Sequence, residues 1–222
     1  MEYITITCTA LTMVISLIAF LHGGAKLFKK DVPLYFQIIM WAVGCFFLQC
    51  IENFVVYFCG DFSEKGIISQ VAMCGFFFAL LSANFGTIDK IVDDRNKNNS
   101  KYRKLALIAP LVYGFVSIAA FMHIYPMYNF AASVYGISLI SMLAASYFNL
   151  KHLLLPKDEI GILSSTRLCN IICLIIYALA VLLIIIYERV NPIFSNILNV
   201  VLSVLVLLLT LAAEKGEKSW PI

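Results

Sequence analysis

The feature that most constrains this sequence is the repeated occurrence of apolar stretches long enough to cross a lipid bilayer. A transmembrane helix needs roughly 20 consecutive, mostly apolar residues. Of the 222 residues, 62% are hydrophobic and only 13% are charged, whereas a soluble domain carries about 25% charged residues. Seven windows meet the length requirement, at about 3–22, 34–59, 67–89, 105–125, 127–150, 168–187 and 192–213. The sequence therefore predicts an all-α polytopic membrane protein, in which residues 1–222 form a single domain of seven transmembrane helices in one bundle.

The basic residues predict how this bundle is oriented. Fourteen of the 16 Lys and Arg residues fall in the first, third and fifth loops and the C-terminal tail. Because Lys and Arg accumulate on the cytoplasmic side, we expect the N-terminus outside and the C-terminus in the cytoplasm. No cleavage pattern precedes Lys26, so we expect the first helix to be retained, in an integral protein of the plasma membrane. The net charge of +3 is then explained by the basic residues on the cytoplasmic side, so we expect no nucleic-acid partner.

The second predicted span, 34–59, carries the most informative polar residues, Gln49, Glu52 and Asn53. Glu52 lies about seven residues below the outer boundary, on the order of 10 Å at 1.5 Å per residue. An ionisable group at that depth is costly and marks a candidate functional site. Trp41, Gln49 and Glu52 also fall near one face of the helix. Three interpretations stay open for Glu52: a hydrogen-bonded contact between helices, a ligand or cation site, and a proton relay.

The last predicted span carries a matching polar face, because Asn196, Asn199 and Ser203 follow helical spacing. Asn199 is about as deep as Glu52, which favours proximity of the two spans. A pocket opening outward between helices would explain these residues. The alternative is a bundle held by scattered hydrogen bonds, each worth about 0.6 kcal/mol. The candidate ligand-binding residues are Glu52, Gln49, Asn53, Asn199, Asn196 and Trp41, and further outer-half polar residues are Thr9, Thr12, Ser117, Ser133 and Tyr135.

Several chemistries are disfavoured by what the spans contain. The window 192–213 has no lysine for a retinal Schiff base, and all three histidines lie near span ends, so we expect no cofactor and no metal site. No arrangement typical of an intramembrane protease is present, and we expect no enzymatic activity. Cys59 and Cys74 approach the outer side across a short loop, which leaves a disulfide between them open.

One stretch resembles a known family. The run from Trp41 through Glu52 to Gln70 and Gly75 is similar to the second and third spans of the seven-span input module at the N-terminus of some bacterial histidine kinases. In that module a Trp early in the second span, a Glu later in it, and a Gln followed by a Gly in the third span recur. The resemblance covers about a quarter of the chain and implies a sensory role. No kinase domain follows Ala213, so a signal would pass to a separate partner.

The sequence thus leads to a receptor-like protein that binds a small ligand in the outer half of the bundle, with Glu52 as the polar anchor. A cytoplasmic partner would bind the basic third and fifth loops and respond to changes in them. The runner-up is a small-solute or proton-coupled carrier, because compact sugar transporters also have seven spans with the N-terminus outside. A non-catalytic subunit of a membrane assembly is a third interpretation.

Overall fold

The structure of the protein is a computed structural model that describes residues 2–29, 32–59, 67–89, 100–124, 130–155, 162–186 and 192–217. All regular elements in these ranges are helices. Six helices are long and apolar enough to cross a membrane, which indicates an α-helical integral membrane protein. The helices are α1 (Glu2–Leu27), α2 (Leu34–Cys59), α3 (Ile67–Asn84), a π-helix (Phe85–Asp89), α4 (Ser100–Ala106), α5 (Ile108–Ile124), α6 (Phe130–Leu154), α7 (Ile162–Ile186) and α8 (Pro192–Glu217).

The helices follow the predicted windows, with one difference in the third. The window 67–89 holds a shorter apolar α-helix that ends at Asn84, and the chain then continues as a π-helix to Asp89. Five of the other windows each contain one helix of spanning length, and the fourth overlaps the spanning segment Ser100–Ala119, which consists of α4 and part of α5. The all-helical membrane bundle is therefore confirmed, while the third helix does not reach spanning length as an α-helix.

Pro110 explains why the fourth window is divided into α4 and α5. Proline has no N–H, so it cannot donate to the carbonyl of Ala106 four residues earlier. The chain makes a turn at Leu107, and the helix resumes with the N–H of Leu111 donating to the carbonyl of Leu107 at 3.1 Å. The sequence predicts a kink at Pro110, and the helix is interrupted one turn before it.

The helices pack as a ring around an apolar core. Helix α1 contacts α2 and α8, α2 contacts α3, α3 contacts α6, α6 contacts α7, and α7 contacts α8. Helix α5 lies outside this ring against α6 and α7, and α2 reaches across to α8. The end of the bundle where α1 begins is called the upper end here, and the end where α8 finishes is the lower end. The core between them includes the buried side chains Phe36, Ile39, Met40, Phe76, Leu80, Ile176, Leu202 and Leu209.

Gly23 allows the close approach of three helices in the lower half. A Cβ atom at this position would overlap Sδ of Met40 on α2 and would lie 2.9 Å from Cγ2 of Thr210 on α8. The next residue, Gly24, has no atom within 4 Å of the same position. The two adjacent glycines therefore differ in packing while sharing the same helix.

We expect Gly23→Ala to lower the free energy of unfolding by about 1–3 kcal/mol, because an added methyl group overpacks a filled core. Gly24→Ala is the matched control and should be neutral or slightly stabilising, since alanine is the better helix former by about 1 kcal/mol. Thermal unfolding of the purified protein in detergent measures both variants. Equal melting temperatures for the two would contradict the packing described at Gly23.

Candidate functional site

A cavity of about 230 Å³ lies in the upper half of the bundle, between α1, α2 and α8. Four of its lining residues come from α1, five from α2 and three from α8. They are Thr5, Cys8, Thr9 and Thr12; Phe46, Gln49, Cys50, Asn53 and Tyr57; and Ser195, Asn196 and Asn199.

Helical periodicity explains why these side chains converge. On α1 the lining positions 5, 8, 9 and 12 are separated by three, one and three residues, which is the spacing of one helix face. The lining positions of α2 show the same spacing from 46 to 57. Each of the three helices thus turns a face of hydroxyl and amide groups toward a common space, while its other faces meet apolar neighbours or the outside.

Hydrogen bonds fix part of this polar lining. Nδ2 of Asn196 donates to Oγ1 of Thr5 at 3.1 Å, which ties α8 to α1 at the upper end. Oε1 of Gln49 is a buried atom with no hydrogen-bond partner in the described part of the chain. Leaving such an acceptor unsatisfied costs about 1–3 kcal/mol, and the Gln49 side chain lines the cavity while its own oxygen has no partner among the described residues.

Below the cavity the polar faces of α1 and α8 no longer point to free space. Oγ of Ser16 donates to the carbonyl of Met13 at 2.9 Å, and Oγ of Ser203 donates to the carbonyl of Val200 at 2.7 Å. Both serines are fully buried and are satisfied by their own helices. The rings of Phe20 and Phe47 stack at 5.4 Å between α1 and α2. The space between the three helices therefore closes into an apolar core.

Glu52 lies on a different side of α2. Its Oε2 accepts a hydrogen bond from the backbone N–H of Ser69, the third residue of α3. The first N–H groups of a helix have no partner within it, and a negative charge is favourable at that end. Glu52 therefore joins α2 to the start of α3. It does not line the cavity.

The structure brings together four of the six candidate residues. Gln49 and Asn53 on α2 and Asn196 and Asn199 on α8 line the one cavity. Glu52 and Trp41 lie elsewhere on α2, and the Trp41 side chain is 73% exposed. Of the wider polar set, Thr9 and Thr12 line the cavity, whereas Ser117, Ser133 and Tyr135 do not. The role of the six residues in ligand binding stays a prediction.

The described lining of the cavity is neutral. Among the described residues that line it there is no Asp, Glu, Lys, Arg or His. Within the residues that the structure describes, no group of three or more His, Cys, Asp or Glu side chains could hold a metal ion. Cys74 is a free thiol, and the side chain of Cys59 lies outside the described residues.

Sequence analysis missed a second polar site, at the lower end. Asp89 in the π-helix and Lys151 and His152 near the end of α6 form a buried charged cluster. The sequence places Lys151 in the fifth loop and His152 near a span end, and it does not single out Asp89. The one signal available was that the fifth span can extend past His152, as it does to Leu154.

Comparison of the chain with protein-family models, with curated proteins and with solved structures finds no match. The functional conclusion therefore depends on the chemistry of the cavity and of the charged cluster.

We expect Glu52→Leu to lower the free energy of unfolding by about 1–3 kcal/mol, because it leaves the Ser69 N–H without its acceptor in a part-buried contact. Glu52→Gln keeps an acceptor oxygen and loses only the charge at the helix end, worth about 0.3–1 kcal/mol. Unfolding of both variants in the same detergent measures the difference. Equal losses, or no loss from Glu52→Leu, would contradict the role of this contact.

Proposed function

We propose that this protein is a receptor-like sensor of the plasma membrane that binds a small, uncharged polar molecule in the cavity between α1, α2 and α8. The observation that carries the proposal is the lining itself. Side chains from the first two helices and the last helix, Gln49 and Asn53 on α2 and Asn199 on α8 among them, converge on one space. Concave sites in which polar groups from several helices converge are typical of ligand sites, and this lining is richer in polar groups than most.

The size and charge of the cavity define the ligand class. At about 230 Å³ the cavity is smaller than the 300–1,000 Å³ typical of sites for drug-sized molecules. A charged ligand would lose its hydration without meeting an opposite charge in the lining, which is strongly unfavourable. Hydroxyl and amide side chains can exchange hydrogen bonds with a neutral compound that carries several such groups itself. A small polyol, sugar or amide fits this description.

The contacts between the helices suggest how occupancy would reach the lower end. A ligand held by α1, α2 and α8 would change how these three helices pack. Helices α1 and α8 meet again at the lower end, where Glu214 pairs with Lys26 and with His22, the latter at 3.0 Å. Since α8 is continuous from Pro192 to Glu217, a shift at the cavity would move this charged contact. Of the basic third and fifth loops, assigned to a cytoplasmic partner, the segments 90–99 and 156–161 fall outside the described residues.

Seven spans and an outside N-terminus belong to the same proposal. Helix α3 and the π-helix together cover 67–89, and this length would allow the third window to cross the membrane. Seven crossings put the cavity on the outer side, and they put the basic residues Lys26, Arg103 and Lys215 on the cytoplasmic side. No catalytic step is part of this proposal.

Binding to the cavity can be tested with a panel of compounds. We expect one or more small sugars, polyols or amides to raise the melting temperature of the purified protein, and carboxylates and amines of equal size to leave it unchanged, because the lining has no charge to pair with them. Asn199→Leu should abolish the increase. Thr9→Val should weaken it, since both variants remove cavity hydrogen-bond groups while keeping similar volumes.

The matched control is Thr7→Val. Thr7 lies on the exposed side of α1, where its hydroxyl donates to the carbonyl of Tyr3 at 2.8 Å. This variant should keep the full response to the ligand. A response that survives Asn199→Leu, or one that comes only from charged compounds, would overturn the cavity as the site.

A flux measurement distinguishes a receptor from a carrier that uses the same cavity. Transport would require α1, α2 and α8 to part at their lower halves, where Gly23, Met40 and Thr210 are in close contact. We expect the purified protein in proteoliposomes to bind its ligand without saturable uptake. Saturable uptake by the purified protein alone would show that the protein is a carrier and would contradict the receptor proposal.

The orientation has its own test. We expect a green fluorescent protein fused after Ile222 to be fluorescent and alkaline phosphatase at the same site to be inactive in a bacterial host, because the basic end of the bundle should face the cytoplasm. The reverse pattern would show that the cavity faces the cytoplasm. An epitope placed before the first helix should be accessible to antibody on intact spheroplasts.

A further inference from the structure

The charged cluster at the lower end has no part in the cavity or in its proposed ligand. Lys151 and His152 on α6 are each only 2% exposed, and Asn84 at the end of α3 is 1% exposed. Nζ of Lys151 lies 2.6 Å from Oδ1 of Asp89 and 5.9 Å from the centre of the Phe148 ring. Charges buried to this degree are retained only when they are paired, and Lys151 has its pair in Asp89.

The π-helix explains why Asn84 and Asp89 face the same neighbour. In an α-helix, residues five apart point about 140° away from each other. The wider turn of a π-helix, with its i to i+5 hydrogen bonds, brings such residues toward one side. The segment Phe85–Asp89 thus presents Asp89 to α6 together with Asn84, and both reach the ring of His152. Single π turns inside α-helices are frequent at functional sites.

The two ring nitrogens of His152 both face oxygen acceptors. Nδ1 lies 3.1 Å from Oδ1 of Asn84, and Nε2 lies 3.3 Å from Oδ1 of Asp89. The orientation of the Asn84 amide is set independently, because its Nδ2 donates to the carbonyl of Leu80 at 3.3 Å. A neutral imidazole has one donor and one acceptor, so one nitrogen would turn a lone pair toward an oxygen. The protonated ring donates to both partners.

We propose that His152 is a proton-binding site whose protonated form joins the end of α3 to α6 through Asn84 and Asp89. Binding a proton satisfies both hydrogen bonds and closes the contact between the two helices. When the ring loses this proton, the lone pair of one ring nitrogen faces an oxygen, and the contact between the end of α3 and α6 becomes weaker. The proposal does not depend on the ligand cavity, which lies between other helices.

The remaining charged groups around His152 are compatible with this role. Lys151 on its own helix neutralises Asp89 in part, and Arg167 on α7 lines the same small space as His152. Arg167 is exposed, so its charge is screened by the surroundings. On α4, which also packs against α6, Lys101, Arg103 and Lys104 are exposed. The side chains of α5 that the structure describes, at 108–119, carry no charge. The side chain of His123, further along α5, lies outside the described residues.

A small space borders His152 at the lower end. It has a volume of about 20 Å³ and is lined by His152, Leu153, Leu155, Leu163, Ser164 and Arg167. This volume suffices for one water molecule. Ser164 and Arg167 are exposed whereas the His152 side chain is fully buried, so local movement of the side chains is needed for a proton to reach the ring.

Nuclear magnetic resonance of the ring nitrogens tests the proposal directly. The double variant His22→Gln with His123→Gln leaves His152 as the only histidine, so ¹⁵N-histidine labelling needs no assignment. We expect both nitrogens to carry protons at the acidic end of the range between roughly pH 5 and 8, where histidine ordinarily changes charge, with a single transition to the neutral ring. A ring that stays neutral over the whole range would overturn the proposal.

Thermal stability gives a second readout on variants. Because only the protonated ring can donate to both Asn84 and Asp89, we expect the stabilisation at low pH and its loss as the pH rises through the transition. We expect the melting temperature of the wild type to fall by roughly 2–4 °C across it, the size of change that about 1 kcal/mol produces in a chain of this length. His152→Gln should remove this dependence.

His22→Gln is the matched control. His22 contacts Glu214 at the surface, where its side chain is 43% exposed, and its loss should leave the pH dependence of the melting temperature intact. The same pH dependence in His152→Gln as in the wild type would contradict the proposal. If His152→Gln does not fold, the labelled double variant decides, because it keeps the buried cluster unchanged.

Discussion

A polar side chain on a helix inside a membrane has three ways to avoid an unsatisfied hydrogen bond: its own helix, a neighbouring helix, or a polar space. Ser138, Ser141 and Thr210 take the first, each donating to a carbonyl four residues earlier on its own helix. Asn149 takes the second, with Nδ2 donating to the hydroxyl of Tyr177 at 3.0 Å across α6 and α7. In the described part of the chain, polar side chains from several helices also gather at two places, the upper cavity and the lower charged cluster.

The two polar places differ in kind and lie at opposite ends of one apolar core. The upper cavity is neutral, is formed by α1, α2 and α8, and has room for a small molecule. The lower cluster is charged, joins the end of the α3 segment to α6, and has room for one water molecule. Side chains such as Phe76, Ile39 and Leu202 fill the bundle between them. A signal that passes from one end to the other therefore moves through helices that pack as rigid elements, since a filled core does not deform continuously.

Sequence reasoning succeeded where helical spacing and depth alone decide the outcome. Depth and helical spacing relate the polar face of α2 to that of α8 through Glu52 and Asn199, and the neighbours Gln49 and Asn53 line the cavity with Asn199 whereas Glu52 does not. Sequence reasoning could not decide which neighbour each face of α2 meets. Glu52 is next to Asn53 in sequence but points about 100° away from it around the helix, which is the direction of α3. The order of the helices around the ring is a tertiary property, and no local pattern encodes it.

The charged cluster could not be predicted from the sequence for a related reason. Lys151 directly follows the apolar window 127–150, so the sequence alone places it in the fifth loop. It is buried because the π-helix brings Asp89 within 2.6 Å of it. Neither the π turn nor the distance between positions 89 and 151 can be read from periodicity. The role of Asp89 becomes evident only from the packing of the α3 segment against α6.

The central claim, that the cavity between α1, α2 and α8 holds a small uncharged polar molecule, is tested most directly by an experimental structure of the protein purified from its own membrane. We expect density in the cavity for such a molecule, within hydrogen-bond distance of at least two of the side-chain amides of Gln49, Asn53 and Asn199. A cavity filled by a lipid chain, or closed by pairing of these amides with one another, would contradict the claim.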